Sequence, residues 1–103
     1  MRNFGQAVML KPLGSPSVRE PVAITGDATN PTEITLASNK NHIEIYNAST
    51  GDIYWGGSNV TTDKGIPIFT DYSREFNNCE DSFKVYLKCK AGEISEARII
   101  EYA

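Results

Sequence analysis

Between residues 33 and 103, short runs of alternating apolar and polar residues are separated by clusters of turn-forming residues. The clearest alternation covers residues 82–89, in which every second residue is apolar. Alternation of this kind is typical of half-buried β-strands. It predicts strands over residues 33–36, 42–47, 52–55, 66–69, 72–76, 82–89 and 96–102, with one further short strand at 21–25.

The number and length of these strands predict an all-β fold. Seven or so short strands with one polar face each are expected to form two antiparallel sheets packed face to face. This is a small β-sandwich of the jelly-roll or immunoglobulin-like kind, connected as a Greek key or a meander. A partly open barrel is the competing architecture. No segment has apolar residues at helical spacing over a useful length.

Residues 1–32 differ from the rest because they contain four of the five prolines, at positions 12, 16, 21 and 31. Proline cannot donate to a helix or a central sheet ladder, and it holds the preceding residue in extended geometry. The pattern therefore predicts an extended proline-rich N-terminal arm over residues 1–32 and a β-sandwich domain over residues 33–103. The alternative is a terminus that folds back onto its own domain.

The arm carries large apolar side chains, which a solvated linker would lack. We expect four of them to bind a neighbouring subunit, namely Phe4, Val8, Leu10 and Leu13. Each would contribute about 1.5–3 kcal/mol on burial in a partner's groove, before the cost of ordering the arm.

Charge and hydropathy limit the kinds of partner. The 103 residues carry ten basic and thirteen acidic side chains, a net charge of −3. There is no basic field for a nucleic-acid backbone and no polybasic run for an anionic membrane. Apolar runs are too short for a transmembrane helix, and the first residues lack the apolar region of a signal peptide. We therefore expect no nucleic acid and no membrane among the partners.

Catalytic and cofactor chemistry find little support in the residues present. His42 is the only histidine, it opens a predicted strand, and no nucleophile motif accompanies it, so we expect it to face solvent or cap a turn. One histidine and two cysteines are too few for a zinc site within one chain, and phosphate-loop and calcium-loop patterns are absent. The sequence predicts no enzyme, no catalytic residue, no metal and no cofactor.

The two cysteines, Cys79 and Cys89, have a spacing that would fit a hairpin disulfide. Cys89 lies on the apolar face of its predicted strand, so a buried thiol is equally natural. Because a signal peptide is lacking, free thiols are favoured. Two sequons, at Asn47 and Asn59, would matter only on a secretory route.

Residues 47–68 form the densest group of unusual residues. They comprise a turn, a strand that ends in Tyr54 and Trp55, a bend at Gly56 and Gly57 where glycine permits a positive φ, and a polar loop. Trp55 is expected to fill the core while its N–H finds a carbonyl. The alternative is that these four residues form an exposed ligand site whose aromatic rings stack on sugar.

Several strings in this part of the chain match a known pattern. IYNAS at 45–49, IYWGGSNVTT at 53–62 and GIPI at 65–68 resemble a recurring segment of small structural proteins of tailed bacteriophages. In those proteins a strand ending in -QN-S leads to VYWGGS-VTTSNGIPL. The closing ARIIEYA at 97–103 resembles their VRVLE-like terminal strand. The resemblance covers roughly residues 40–103, contains no catalytic residue, and is weakest at 71–82, which is more highly charged here.

The resemblance implies a β-sandwich module located in the virion and assembled in the host cytoplasm. It would be a non-enzymatic homo-oligomer that decorates the capsid or connects head to tail, with capsid, portal or fibre subunits as partners. Together with the arm, it predicts assembly through the arm and the sheet edges. The alternative function is a host-attachment or carbohydrate-binding module of a tail or head fibre, using Tyr46, Tyr54, Trp55 and the loop at 58–65.

Overall fold

The computed structural model describes residues 14–103 of the chain, and within that range it contains nine β-strands and no helix. Accordingly, no helix among these residues is long and apolar enough to cross a membrane. The strands are β1 (Pro16–Val18), β2 (Val22–Thr25), β3 (Thr32–Thr35), β4 (His42–Asn47), β5 (Ile53–Gly56), β6 (Ile66–Ile68), β7 (Ser73–Phe76), β8 (Lys84–Lys88) and β9 (Ile94–Tyr102).

The strands form two antiparallel sheets, which confirms the predicted all-β sandwich. In sheet A, the long strand β9 pairs with β1 and β2 along one side and with β4 along the other, and β7 completes the sheet beside β4. Sheet B has the order β3-β8-β5-β6. From β2 onward the chain changes sheet at every connection except β5–β6, so the connectivity is not the meander that short links suggested.

The core lies between the two sheets because each contributes the apolar residues of its alternating strands. Sheet A supplies Ile43, Ile45 and Ile99, all at most 1% exposed, and sheet B supplies Ile53 and other side chains of the same kind. Each such burial contributes about 1.5–3 kcal/mol relative to exposure. The cluster consists of Ile24, Ile34, Leu36, Ile43, Ile45, Ile53, Ile68, Val85, Leu87, Cys89, Ala97 and Ile99.

The division at residue 32 is wrong for the described part of the proposed arm. Strands β1 and β2 pair antiparallel with β9 of the same chain, and Ile24 is 1% exposed within the core. β1 escaped prediction because it begins with Pro16, but an outer strand tolerates proline, which has no N–H to donate to the ladder. An arm that reaches a neighbour remains a prediction for residues 1–13, which lie outside the described range.

Candidate interaction surface

The outer face of sheet A, which points away from the core, carries apolar side chains in the open. Val18 of β1 lies opposite Ile100 of β9, and its exposed fraction is 74%. On the far side of β9, Tyr46 of β4 is opposite Arg98 and is 36% exposed. These residues and Glu44 line an open depression of about 290 Å³, which we call the sheet A groove. An exposed apolar strip of this kind on a sheet face is typical of a binding surface.

Polar contacts fix the walls of the sheet A groove. The hydroxyl of Tyr46 donates to Oδ1 of Asp71 at 2.9 Å, and this bond to a carboxylate raises the pKa of the phenol. The Glu44 carboxylate accepts a 2.6 Å hydrogen bond from the hydroxyl of Ser73 in β7. The groove therefore combines apolar side chains with the charged side chains of Glu44 and Arg98, and Arg98 is paired with Glu96 at 2.7 Å.

The chain enters sheet A beside its own C-terminus. The backbone N–H of Gly14 donates to the carbonyl of Ala103 at 3.2 Å, and Pro16 lies opposite Tyr102. The described chain thus begins beside the end of β9 and continues directly into β1, the strand that carries Val18. The four predicted partner-binding residues of the arm, Phe4, Val8, Leu10 and Leu13, lie outside the described residues.

Tyr54 and Trp55 lie on opposite faces of β5. Trp55 points inward opposite Leu87 and is half-buried at the edge of the core, where it meets the edge of the Phe76 ring at a centroid distance of 5.0 Å. The guanidinium carbon of Arg74 lies 5.1 Å from the centre of the Trp55 ring. Tyr54 is on the outer face of sheet B, so the two rings do not form one stacking platform, and the carbohydrate-binding alternative stays a prediction without that support.

The loop from Gly56 to Gly65 is built around a buried valine. Val60 is 7% exposed, and a Cβ added at Gly56 would lie 2.8 Å from its Cγ2. A Cβ added at Gly65 would lie 2.8 Å from both Val60 Cγ2 and Tyr54 Cβ. Neither these glycines nor Gly57 has a positive φ, so the expected reason for the bend is wrong. Close packing, rather than unusual backbone geometry, requires glycine at positions 56 and 65.

Asn47 holds three segments together, a role that its sequon did not suggest. Its side chain is fully buried and donates to the carbonyls of Gly51 and Ile68, both at 2.8 Å. Its side-chain oxygen accepts from the N–H of Ser49 at 2.8 Å. The available signal was its position, since Asn47 continues the alternation of Ile43 and Ile45 and so faces the core. In the folded chain its amide is not accessible to modification.

His42 is buried, which contradicts the expectation that it faces solvent or caps a turn. It is 5% exposed, its ring packs against the Tyr102 ring at 5.1 Å, and its Nε2 lies 3.6 Å from Oε1 of Glu75. The surrounding contacts explain its position through packing. In residues 14–103, no three His, Cys, Asp or Glu side chains are grouped so that they could hold a metal ion.

Both cysteines are free thiols, as expected. Cys89 is 1% exposed in the core, and its Sγ lies 3.3 Å from the carbonyl oxygen of Ile24, to which it donates. Cys79 is partly buried, and desolvation raises its pKa. A thiol with a raised pKa holds less of the reactive thiolate at neutral pH.

Comparisons of the chain with protein-family models, with curated proteins and with solved structures found no match.

Proposed function

We propose that this chain is a non-enzymatic structural subunit of a bacteriophage particle, associated with the capsid or connecting head to tail. It assembles through its first residues and its sheet edges. The observation that points to a phage particle is the resemblance of the segments at 45–49, 53–62 and 65–68 to small structural proteins of tailed bacteriophages. The sheet A groove, an exposed apolar surface on the described chain, supports assembly by contact. A subunit that works by contact needs such a surface and needs no reactive site.

The sheet edges supply a second means of contact. β7 forms one edge of sheet A, and β3 and β6 form the edges of sheet B. Edge strands can pair with a strand of a neighbouring molecule, and they are usually protected against uncontrolled pairing. Here β6 contains Pro67, which removes one ladder donor, and β7 carries the charged residues Arg74 and Glu75. Both features protect an edge against uncontrolled pairing, so any contact through these edges has to be specific.

The segment that resembles phage structural proteins folds as a scaffold. Val60 packs between Gly56 and Gly65, and Asn47 ties the β4–β5 turn to the end of β6. These contacts account for the unusual residues of the segment by packing and hydrogen bonding. They support a rigid building block, which is what the resemblance implies.

The test is to purify virus particles from the host that carries the gene and to quantify the chain by mass spectrometry against the major capsid protein. A fixed copy number in particles from repeated density gradients is expected. A ratio near one to one would favour capsid decoration, and a much smaller fixed ratio would favour a connector. If the chain is expressed in the infected cell but is absent from purified particles, the proposal is wrong.

A further inference from the structure

The sheet A groove leaves apolar area in solvent that the described chain does not cover. Val18 is 74% exposed although it lies in a paired strand, and Ile100 beside it is only half-buried. The groove crosses three strands, from β1 over β9 to β4. The groove thus runs far enough across the sheet to take an extended segment laid over the strands.

Residues 1–13 have the composition of such a segment. Phe4, Val8 and Leu10 are all at even positions, so they fall on one side of an extended chain. Pro12 favours extended geometry at Lys11. Thirteen extended residues span at most about 45 Å, which is enough to reach across a neighbouring sheet.

Charge favours the same pairing. Residues 1–13 contain Arg2 and Lys11 and no acidic residue, whereas residues 14–103 contain the other eight basic and all thirteen acidic residues. On the outer face of sheet A, Glu44 of β4 lies opposite Glu75 of β7, which places two carboxylates beside the groove. Arg98 also lines the groove, but it is paired with Glu96 at 2.7 Å. Carboxylates thus outnumber the one guanidinium around the groove, which favours a basic apolar segment.

The direction of the chain favours the groove of another copy. β1 runs antiparallel to β9, so from Val18 back to Gly14 the backbone moves toward Ala103, away from the groove. To enter its own groove, the chain would have to reverse direction before it reaches Gly14. No reversal is needed to reach a second molecule that lies beyond the end of β9.

We propose that the sheet A groove binds residues 1–13 of a second copy of this chain. This rests on the proposed function, because it names the partner and the surface for the assembly step given there. The contact joins two different surfaces, so repetition produces a ring or a linear assembly, and reciprocal exchange produces a dimer.

Two full-length variants separate the two sides of the contact. Val18→Lys keeps the segment but places in the groove a positive charge that repels it, and the triple variant Phe4→Ser, Val8→Ser, Leu10→Ser keeps the groove but weakens the segment. Ile94→Lys is the matched control because Ile94 is also 74% exposed on the outer face of sheet A but lies outside the groove. Tyr46→Ser is a second groove variant in case Val18→Lys disturbs β1. Circular dichroism checks the fold of each.

Sedimentation velocity over a concentration series measures the mass of each protein and of mixtures. The wild type and Ile94→Lys are expected to exceed the monomer mass. Val18→Lys and the triple variant are each expected to stay monomeric. Mixed in equal amounts, those two are expected to form a one-to-one heterodimer of twice the monomer mass, because one supplies the segment and the other supplies the groove.

Several results would overturn the proposal. They are a monomeric wild type at all concentrations, self-association of the triple variant, absence of the heterodimer from the mixture, or a loss of self-association in Ile94→Lys equal to that in Val18→Lys. The outcome is separable from that of the particle experiment. If the heterodimer forms but the chain is absent from particles, the groove contact is supported and the proposed function is wrong. If the chain is present in particles but forms no heterodimer, the proposed function is supported and the groove contact is wrong.

Discussion

Arg19 and Glu101 form a two-pronged ion pair at one end of the sandwich. Nε and Nη2 of Arg19, which lies between β1 and β2, are each 2.8 Å from one oxygen of the Glu101 carboxylate in β9. The Glu101 side chain is 3% exposed and also accepts the N–H of Ala37 at 2.7 Å, while Arg19 donates to the carbonyl of Thr35 in β3. The pair therefore connects the first strands, β9 and sheet B.

Loss of this pair should destabilise the fold strongly. Arg19→Ala leaves the buried Glu101 carboxylate with only the N–H of Ala37 as a donor among the described residues, which costs about 3 kcal/mol. Arg98 offers a matched control because it pairs with Glu96 at 2.7 Å, but both side chains are well exposed. Arg98→Ala should therefore change the free energy of unfolding by less than about 0.5 kcal/mol. Urea titrations measure the free energy of unfolding of both variants, and equal losses of stability would contradict the structural role of Arg19.

The same pair predicts acid sensitivity. The hydrogen bonds from Arg19, followed by that from Ala37, hold the pKa of Glu101 below its usual range despite burial. A carboxylate whose pKa is lower in the folded state contributes stability at neutral pH and loses it as the pH falls through the folded pKa. Unfolding midpoints of the wild type should exceed those of Glu101→Gln at neutral pH. The difference should shrink as the pH falls from about 5 toward 2. A difference that is constant over this range would argue against the lowered pKa.

Asn47 should be among the least replaceable residues of the segment from residue 45 to residue 68. Asn47→Ala removes three hydrogen bonds at a fully buried position and leaves the carbonyls of Gly51 and Ile68 unpaired by that side chain. We expect a loss of about 2–4 kcal/mol in the free energy of unfolding. Asn59→Ala, at an exposed position in the β5–β6 loop, is the control and should have little effect. Similar values for both variants would show that the buried hydrogen bonds do not support the fold.

The glycines of the β5–β6 loop should differ sharply from one another. Gly65→Ala brings a methyl group within 2.9 Å of Val60, Tyr54 and the carbonyl of Thr61, so we expect a loss of about 1–3 kcal/mol. At Gly57 the nearest atom would be 3.8 Å away, an ordinary contact, so Gly57→Ala should be nearly neutral. Thermal unfolding of the two variants checks this, and a neutral Gly65→Ala would disprove the packing of the loop around Val60.

The strands were predictable because alternation is a local property of the chain. β4 occupies residues 42–47 as predicted, with Ile43 and Ile45 in the core, and Cys89 is buried as its place in the pattern indicated. The short first strand, β1, was missed because it begins with Pro16 and because its side chains are all exposed and give no apolar alternation. Its pairing depends on β9, at the other end of the chain.

Contacts between distant strands account for the other errors. His42 was expected in solvent because its own strand places it opposite the core face, but Tyr102 packs against it from β9. Glu101 follows the same alternation as Ala97 and Ile99, so the sequence predicts that it faces inward. The sequence does not indicate that Arg19 is its partner. The sheet A groove likewise exists only after β1, β9 and β4 are brought side by side, which no single stretch of sequence indicates.

The role of the first residues in assembly can be tested by adding purified chain back to particles that lack it. A chain that begins at residue 14 retains β1 and Arg19, so it is a better truncation than one that removes these structural residues. Circular dichroism and urea unfolding establish whether it is folded. The full-length chain should bind the particles saturably at a fixed copy number, and the folded truncated chain should not bind. Equal binding of the two would contradict assembly through residues 1–13.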